Sequence, residues 1–146
     1  MAQPSNEEIV RRYFAAHTGH DYDTVGTLRD PDWTTEWPQS GERVRGHAND
    51  RAIMDNWPGG LPTSEGFRVV GAADRWVVTP VNTIHRVVGS GDFWWGDGTS
   101  TYPDGSTWFV AVQLELRSGR VHRERWYFGP PVEAPAWRAA WVERMA

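Results

Sequence analysis

From residue 108 to 129 the chain alternates. Val110, Val112, Leu114 and Leu116 recur at every second position, with Ala111, Gln113 and Glu115 between them, the period of a strand with one dry and one wet face. Arg117-Ser118-Gly119-Arg120 supplies a turn and a second extended run follows, so the two strands read as a hairpin. On the return strand His122, Glu124, Trp126 and Phe128 share one parity, while Arg123, Arg125 and Tyr127 share the other. The residues that meet the dry side of the first strand therefore include a carboxylate, Glu124. An acid on the inner face of a sheet needs an explanation, and a small-molecule pocket is one.

Upstream, the pattern is first helical and then extended. Ser5 followed by Glu8 makes a capping box, and Ile9, Val10, Tyr13, Phe14 and His17 recur at helical spacing, which predicts a helix over about residues 6–18. Gly19 ends it, and Asp21 caps a second short helix running through Leu28, closed by Asp30-Pro31-Asp32. The run 33–37 reads as a strand stopped by Pro38, residues 39–42 as a turn, and about 49–56 as a third helix ended by Trp57-Pro58-Gly59-Gly60. Strands follow over 68–72, over 75–88 with Pro80 at a bulge or edge, and from Trp94 onward. Residues 89–106 carry two Asp-Gly pairs and read as a protruding hairpin or lid. Past the prolines of 130–135, Trp137 and Trp141 form one apolar stripe on a C-terminal helix that needs something to lean on. Helices first and antiparallel strands afterwards make an α+β domain.

Composition narrows the field. At 146 residues the chain is one domain, 1–146, able to bury about two-thirds of its unfolded surface without staples. Cysteine is absent, so no disulfide framework, thiolate zinc site or cysteine nucleophile exists. No apolar run reaches the roughly 20 residues of a membrane span, and the first residues lack the apolar core of a secretion signal; a soluble cytoplasmic protein is the expectation. A net charge of -4 argues against a nucleic-acid binder. Ten tryptophans are the outstanding fact, and they fill either a core or the wall of an aromatic cavity.

The candidate chemistry centres on Glu124, Tyr13 and His17. Tyr13 and His17 lie one turn apart on one helix face, so both can look into a single space; the plainer readings are a core tyrosine and a helix-end cation. Buried among Trp37, Trp126 and Phe128, Glu124 would be pushed toward its neutral form and suited to move a proton. The plainer reading is a buried partner of an arginine, Arg86 or Arg68. Tyr13, His17 and His85 could bind a carbonyl or hydroxyl, although the parity of His85 leaves its direction open. A metal set of His17, His85 and Glu124 ranks below a metal-free pocket, and no cofactor is called for. There is no GxSxG elbow, phosphate loop or dinucleotide fingerprint.

The segments VRRYFAAHTGHDYDTV, DPDWTTEWPQSGERVRG and PDGSTWFVAVQLELRSGRVHRERWYF, in that order, resemble the SnoaL-like polyketide cyclase and ketosteroid isomerase branch of the nuclear transport factor 2-like superfamily. The resemblance covers nearly the whole chain up to Phe128. It implies a cone-shaped α+β barrel, in which a strongly bent mixed sheet wraps around the N-terminal helices and encloses a deep apolar cavity, commonly as a homodimer. It places Tyr13 at the isomerase's oxyanion tyrosine, but Trp37 at its base and Val112 at its protonated aspartate, which disfavours steroid isomerisation. The acid–base carboxylate of the cyclases falls at Glu124 or, two residues on, at Trp126.

Two functions of different class follow. One is a cofactor-free enzyme performing proton-transfer chemistry, such as cyclisation, isomerisation, dehydration or epoxide opening, on a hydrophobic small molecule. The other is a ligand-binding or dimerisation module with the cavity and no turnover.

Overall fold

A computed structural model describes residues 2–62, 68–70, 76–78 and 82–145, with backbone alone for 68–70, 76–78, 82–88 and 90. Helix α1 spans Asn6–Thr18 and opens with the expected capping box: the Ser5 hydroxyl accepts from the Glu8 amide at 3.2 Å, and the Glu8 carboxylate accepts from the Ser5 amide at 2.6 Å. Helix α2, Tyr22–Leu28, is capped by Asp21, whose carboxylate accepts from the Thr24 amide. The strands β1 (Arg29–Trp37) and β2 (Glu42–Arg45) then form a hairpin, and α3 spans His47–Asp55. After them come β3 (Arg68–Val70), β4 (Trp76–Val78), β5 (Asn82–Ser90), β6 (Phe93–Thr101), β7 (Thr107–Arg117) and β8 (Arg120–Gly129).

Among the described residues these strands make one eight-stranded sheet in the order β2-β1-β8-β7-β6-β5-β4-β3. Only β1 and β8 are parallel, so the sheet is mixed, and it is open, with β2 and β3 at its ends. Register shifts between Arg29 and Thr34, Ile84 and Arg86, and Glu115 and Leu116 mark bulges, which bend the strands so that the sheet wraps around the helices. Ile9, Val10, Tyr13 and Phe14 of α1 and Val25 and Leu28 of α2 pack in one cluster with Val110, Val112, Leu114 and Leu116 of β7. Burying each such aliphatic or phenyl side chain is worth roughly 1.5–3 kcal/mol before ordering costs. The alternation along β7 is as the sequence predicts, and every member of its dry set is buried.

Several expectations are corrected. The Asp30-Pro31-Asp32 run does not close α2 but lies inside β1, which starts four residues before Trp33; the bulge against β8 accommodates Pro31, which has no amide to give the ladder. The third helix begins two residues earlier than expected. Within the run 75–88, Trp76–Val78 and the residues from Asn82 onward belong to separate antiparallel strands, β4 and β5, with Val78 opposite Thr83. Pro80 and Ala72 lie outside the described residues. Of residues 89–106, Asp104-Gly105 does turn the chain from β6 into β7, beside the cavity, but β6 runs between β5 and β7 and Asp97-Gly98 sits mid-strand opposite Ala111 and Val110. There the glycines belong to an inward row of Trp94, Gly96, Gly98 and Ser100, small positions facing the interior instead of a turn. The C-terminal helix is a short 3-10 segment, Ala136–Trp141, and it buries none of its side chains. No helix among the described residues is long and apolar enough to cross a membrane.

Candidate functional site

One inward row of the sheet positions the site. Val44, Thr35, Glu124, Leu114 and Trp94 lie opposite one another across β2, β1, β8, β7 and β6, so Glu124 is fixed at the middle of the inner face. The bulge near the start of β8 lets Val121 and Glu124 both point inward despite their opposite parity.

The Glu124 carboxylate is held by donors from three elements. Oε1 accepts from the Tyr13 hydroxyl on α1 and from Trp33 Nε1 on β1 at 3.0 Å, and Oε2 accepts from Trp126 Nε1 at 2.8 Å. Arg29 runs alongside, with Nη2 3.9 Å from Oε1. Its guanidinium lies 3.5 Å above the Trp33 ring, Nε donates to the Tyr13 oxygen at 2.8 Å, and Nη1 donates to Asp50 Oδ2 at 2.7 Å and to His47 Nδ1 at 2.8 Å. The result is a buried chain from carboxylate to guanidinium to carboxylate, with a phenol bridging one side.

Beside this chain opens a cavity of about 650 Å³. Glu124, Arg29, Asp50, His17 and Thr35 form its polar end; Trp37, Trp57, Trp108, Trp126, Tyr102 and Phe128 form aromatic walls. Trp126 and Phe128, two residues apart on β8, stack at 5.9 Å with an 11° interplanar angle, making one flat side. Among the described tryptophans, Trp33 and Trp94 belong to the core, Trp37, Trp57 and Trp108 line the cavity, and Trp126 belongs to both.

The electrostatics follow from burial. Desolvation pushes the Glu124 carboxyl above its ordinary range, against the pull of Arg29 and of the hydrogen bonds from Tyr13 and Trp126. Burial also drives the Tyr13 phenol well above its usual value, so it remains a donor. Burial, and then the charge of Arg29, holds the His17 imidazole well below 6.5 and therefore neutral. Burial opposes the charge on Arg29, but Tyr13, Glu124 and Asp50 outweigh it and the guanidinium stays cationic.

Of the residues singled out from the sequence, Glu124, His17, Trp37, Trp126 and Phe128 meet at the cavity. Tyr13 touches Glu124 from behind and is itself fully buried. Val112 is packed in the core and does not line the cavity, although it stands directly opposite Trp126 across the β7–β8 ladder. His17 is a neutral buried ring, 4.7 Å from the Tyr13 ring, and not a helix-end cation. The His85 side chain lies outside the described residues, as do those of Arg68 and Arg86. The arginine beside Glu124 is Arg29. Sequence reasoning missed Arg29, Asp50 and Thr35. For Asp50 a signal existed: it precedes Ile53 and Met54 by three and four residues, which puts an acid on the apolar face of α3. No three metal-ligating side chains converge among the described residues.

Set against proteins of known structure, this architecture recurs. An NTF-2 like protein of unknown function from Burkholderia xenovorans LB400 shares 30% sequence identity over 97% of this chain and 95% of that one, with a TM-score of 0.72. The chain belongs to the nuclear transport factor 2-like family. A candidate ketosteroid isomerase from Kribbella flavida DSM 17836 is 23% identical over 97% of this chain and 90% of its own, with a TM-score of 0.73. An LEH-like epoxide hydrolase of M. tuberculosis is 22% identical over 84% and 81%, with a TM-score of 0.59. At those identities the two share the fold. No family model and no curated protein matches the sequence.

Proposed function

We propose that the chain is an acid–base enzyme acting on a hydrophobic small molecule through its own side chains. The observation that carries this reading is the buried Glu124, coupled to Tyr13 and Arg29, at the polar end of an aromatic-walled cavity. A carboxyl raised by burial and kept within reach of a cation can take a proton from a carbon or hydroxyl of the ligand and return it to another atom, with no net change in the enzyme. Tyr13 and Arg29 stabilise the carboxylate form of Glu124 during that transfer, and Asp50 fixes Arg29 from its far side. Isomerisation, cyclisation, dehydration and epoxide opening all need this proton shuttle. The candidate isomerase and the epoxide hydrolase among the structural neighbours support such use of the fold.

One observation favours the non-catalytic alternative: both Glu124 oxygens already accept hydrogen bonds from the protein, as a structural carboxylate would. Glu124→Gln separates the two. Under the enzymatic reading it abolishes turnover of cyclic ketone, polyketide or epoxide substrates while ligand affinity stays within about tenfold, because only a proton carrier is removed. Turnover unchanged in the variant removes Glu124 from the chemistry.

A further inference from the structure

Among the described residues, two side chains that line the cavity each carry a polar atom with no hydrogen-bond partner. His17 Nε2 and Thr35 Oγ1 are buried and make no hydrogen bond, while both residues line the cavity; His17 is 8% exposed and Thr35 2%. Leaving such atoms dry costs free energy, so buried polar groups are normally satisfied, by protein, water or ligand. Thr35 stands directly beside Glu124 across the β1–β8 ladder, and the His17 ring packs 6.2 Å from that of Trp126, so the two orphans sit at the junction of the polar end and the aromatic wall.

Charge at this junction is opposed in both signs. An anionic headgroup would meet Asp50 and Glu124, and the guanidinium between them is already committed, through Nε to Tyr13, through Nη1 to Asp50 and His47, and through Nη2 toward Glu124. A cationic headgroup would meet that same guanidinium, held over the Trp33 ring. What suits the two orphans is a neutral group that both donates and accepts. A threonine hydroxyl can play either part, and a neutral imidazole has one N–H and one lone pair.

We infer that this end of the cavity is a hydroxyl subsite, in which His17 and Thr35 take the uncharged ring hydroxyl, phenolic or alcoholic, of a flat hydrophobic ligand and reject the carboxylate of the same skeleton. The inference rests on the reading of the cavity as a ligand site but not on turnover. Thr35 is a specificity determinant here, because its hydroxyl makes no hydrogen bond among the described residues and is free to take one from the ligand.

Calorimetric titration of the full chain at neutral pH with β-naphthol, naphthalene and β-naphthoate tests it. β-Naphthol binds about tenfold or more tightly than either of the others. Thr35→Val, which keeps the shape and removes the hydroxyl, lowers β-naphthol affinity about fivefold and leaves naphthalene affinity unchanged, so the naphthalene titration also certifies that the cavity is intact. His17→Phe lowers the same preference. Naphthoate binding as tightly as naphthol, no measurable naphthol binding, or an unchanged naphthol-to-naphthalene ratio in both variants overturns the subsite. In Glu124→Gln the ratio persists, so loss of the subsite and loss of the catalytic reading show up in different measurements.

Discussion

Each buried ionisable group of the site leans on another, and the direction of each lean sets a pH signature. The folded pKa of His17 lies below its unfolded value of 6.5. Above 6.5 neither state binds the proton; as pH falls, the unfolded chain takes it up first, so stability present above 6.5 is lost on acidification. Glu124 runs the other way. Its folded pKa is raised, so its contribution is present below 4.5 and is lost as pH rises through the folded value. Because the two oppose each other in the acid window, the difference between wild type and His17→Gln isolates the histidine. Urea denaturation from pH 7 downward is expected to show the wild type losing up to about 1.4 kcal/mol per pH unit more steeply than the variant below 6.5. Parallel curves would place a protonated or solvated imidazole at position 17. Parity alone made Glu124 legible in the sequence, since an acid opposite Leu114 has one direction to point. Arg29 was not legible, because the bulge after it hides which face of β1 it joins.

Among the elements, the two N-terminal helices were readable from local signals: Ser5 with Glu8, and Asp21, each cap a helix through contacts within three residues. The junction of α2 and α3 was not, since it depends on a contact across 21 residues of chain. Gly26, in the middle of α2, leaves space for His47 at the start of α3; a Cβ built on Gly26 would lie 2.7 Å from His47 Nε2. That ring in turn accepts from Arg29 Nη1, so a helix-weakening glycine is what lets α3 seat against the arginine of the site. On propensity alone Gly26→Ala would stabilise α2 by about 1 kcal/mol. Here it is expected to give no gain by thermal or urea denaturation, because His47 must move off Arg29. In a His47→Ala background the same change recovers about 0.5–1 kcal/mol, and the double-mutant cycle measures the coupling. A full gain in both backgrounds would show that His47 does not depend on the gap.

For the molecule as a whole, periodicity carried the sheet as far as each strand alternates, and failed where residue type carried two meanings. Asp97-Gly98 has the composition of a turn, yet Ala111 and Val110 stand opposite it in mid-sheet, and the glycines there keep side chains out of the interior. The C-terminal stripe failed for a different reason. Trp137 and Trp141 have helical spacing, but a stripe is only a reason to pack when a groove is offered, and these rings are 74% and 79% exposed. Residues 130–145 contribute nothing to the buried set, whereas Phe128, just before them, still lines the cavity. Chain shortened after Gly129 is therefore expected to keep its thermal midpoint, with a loss below about 0.5 kcal/mol, and to keep its affinity for β-naphthol. A fall of several degrees in the midpoint, with m-value reduced in urea, would mean that the two tryptophans are covered in solution and that the tail belongs to the folded unit.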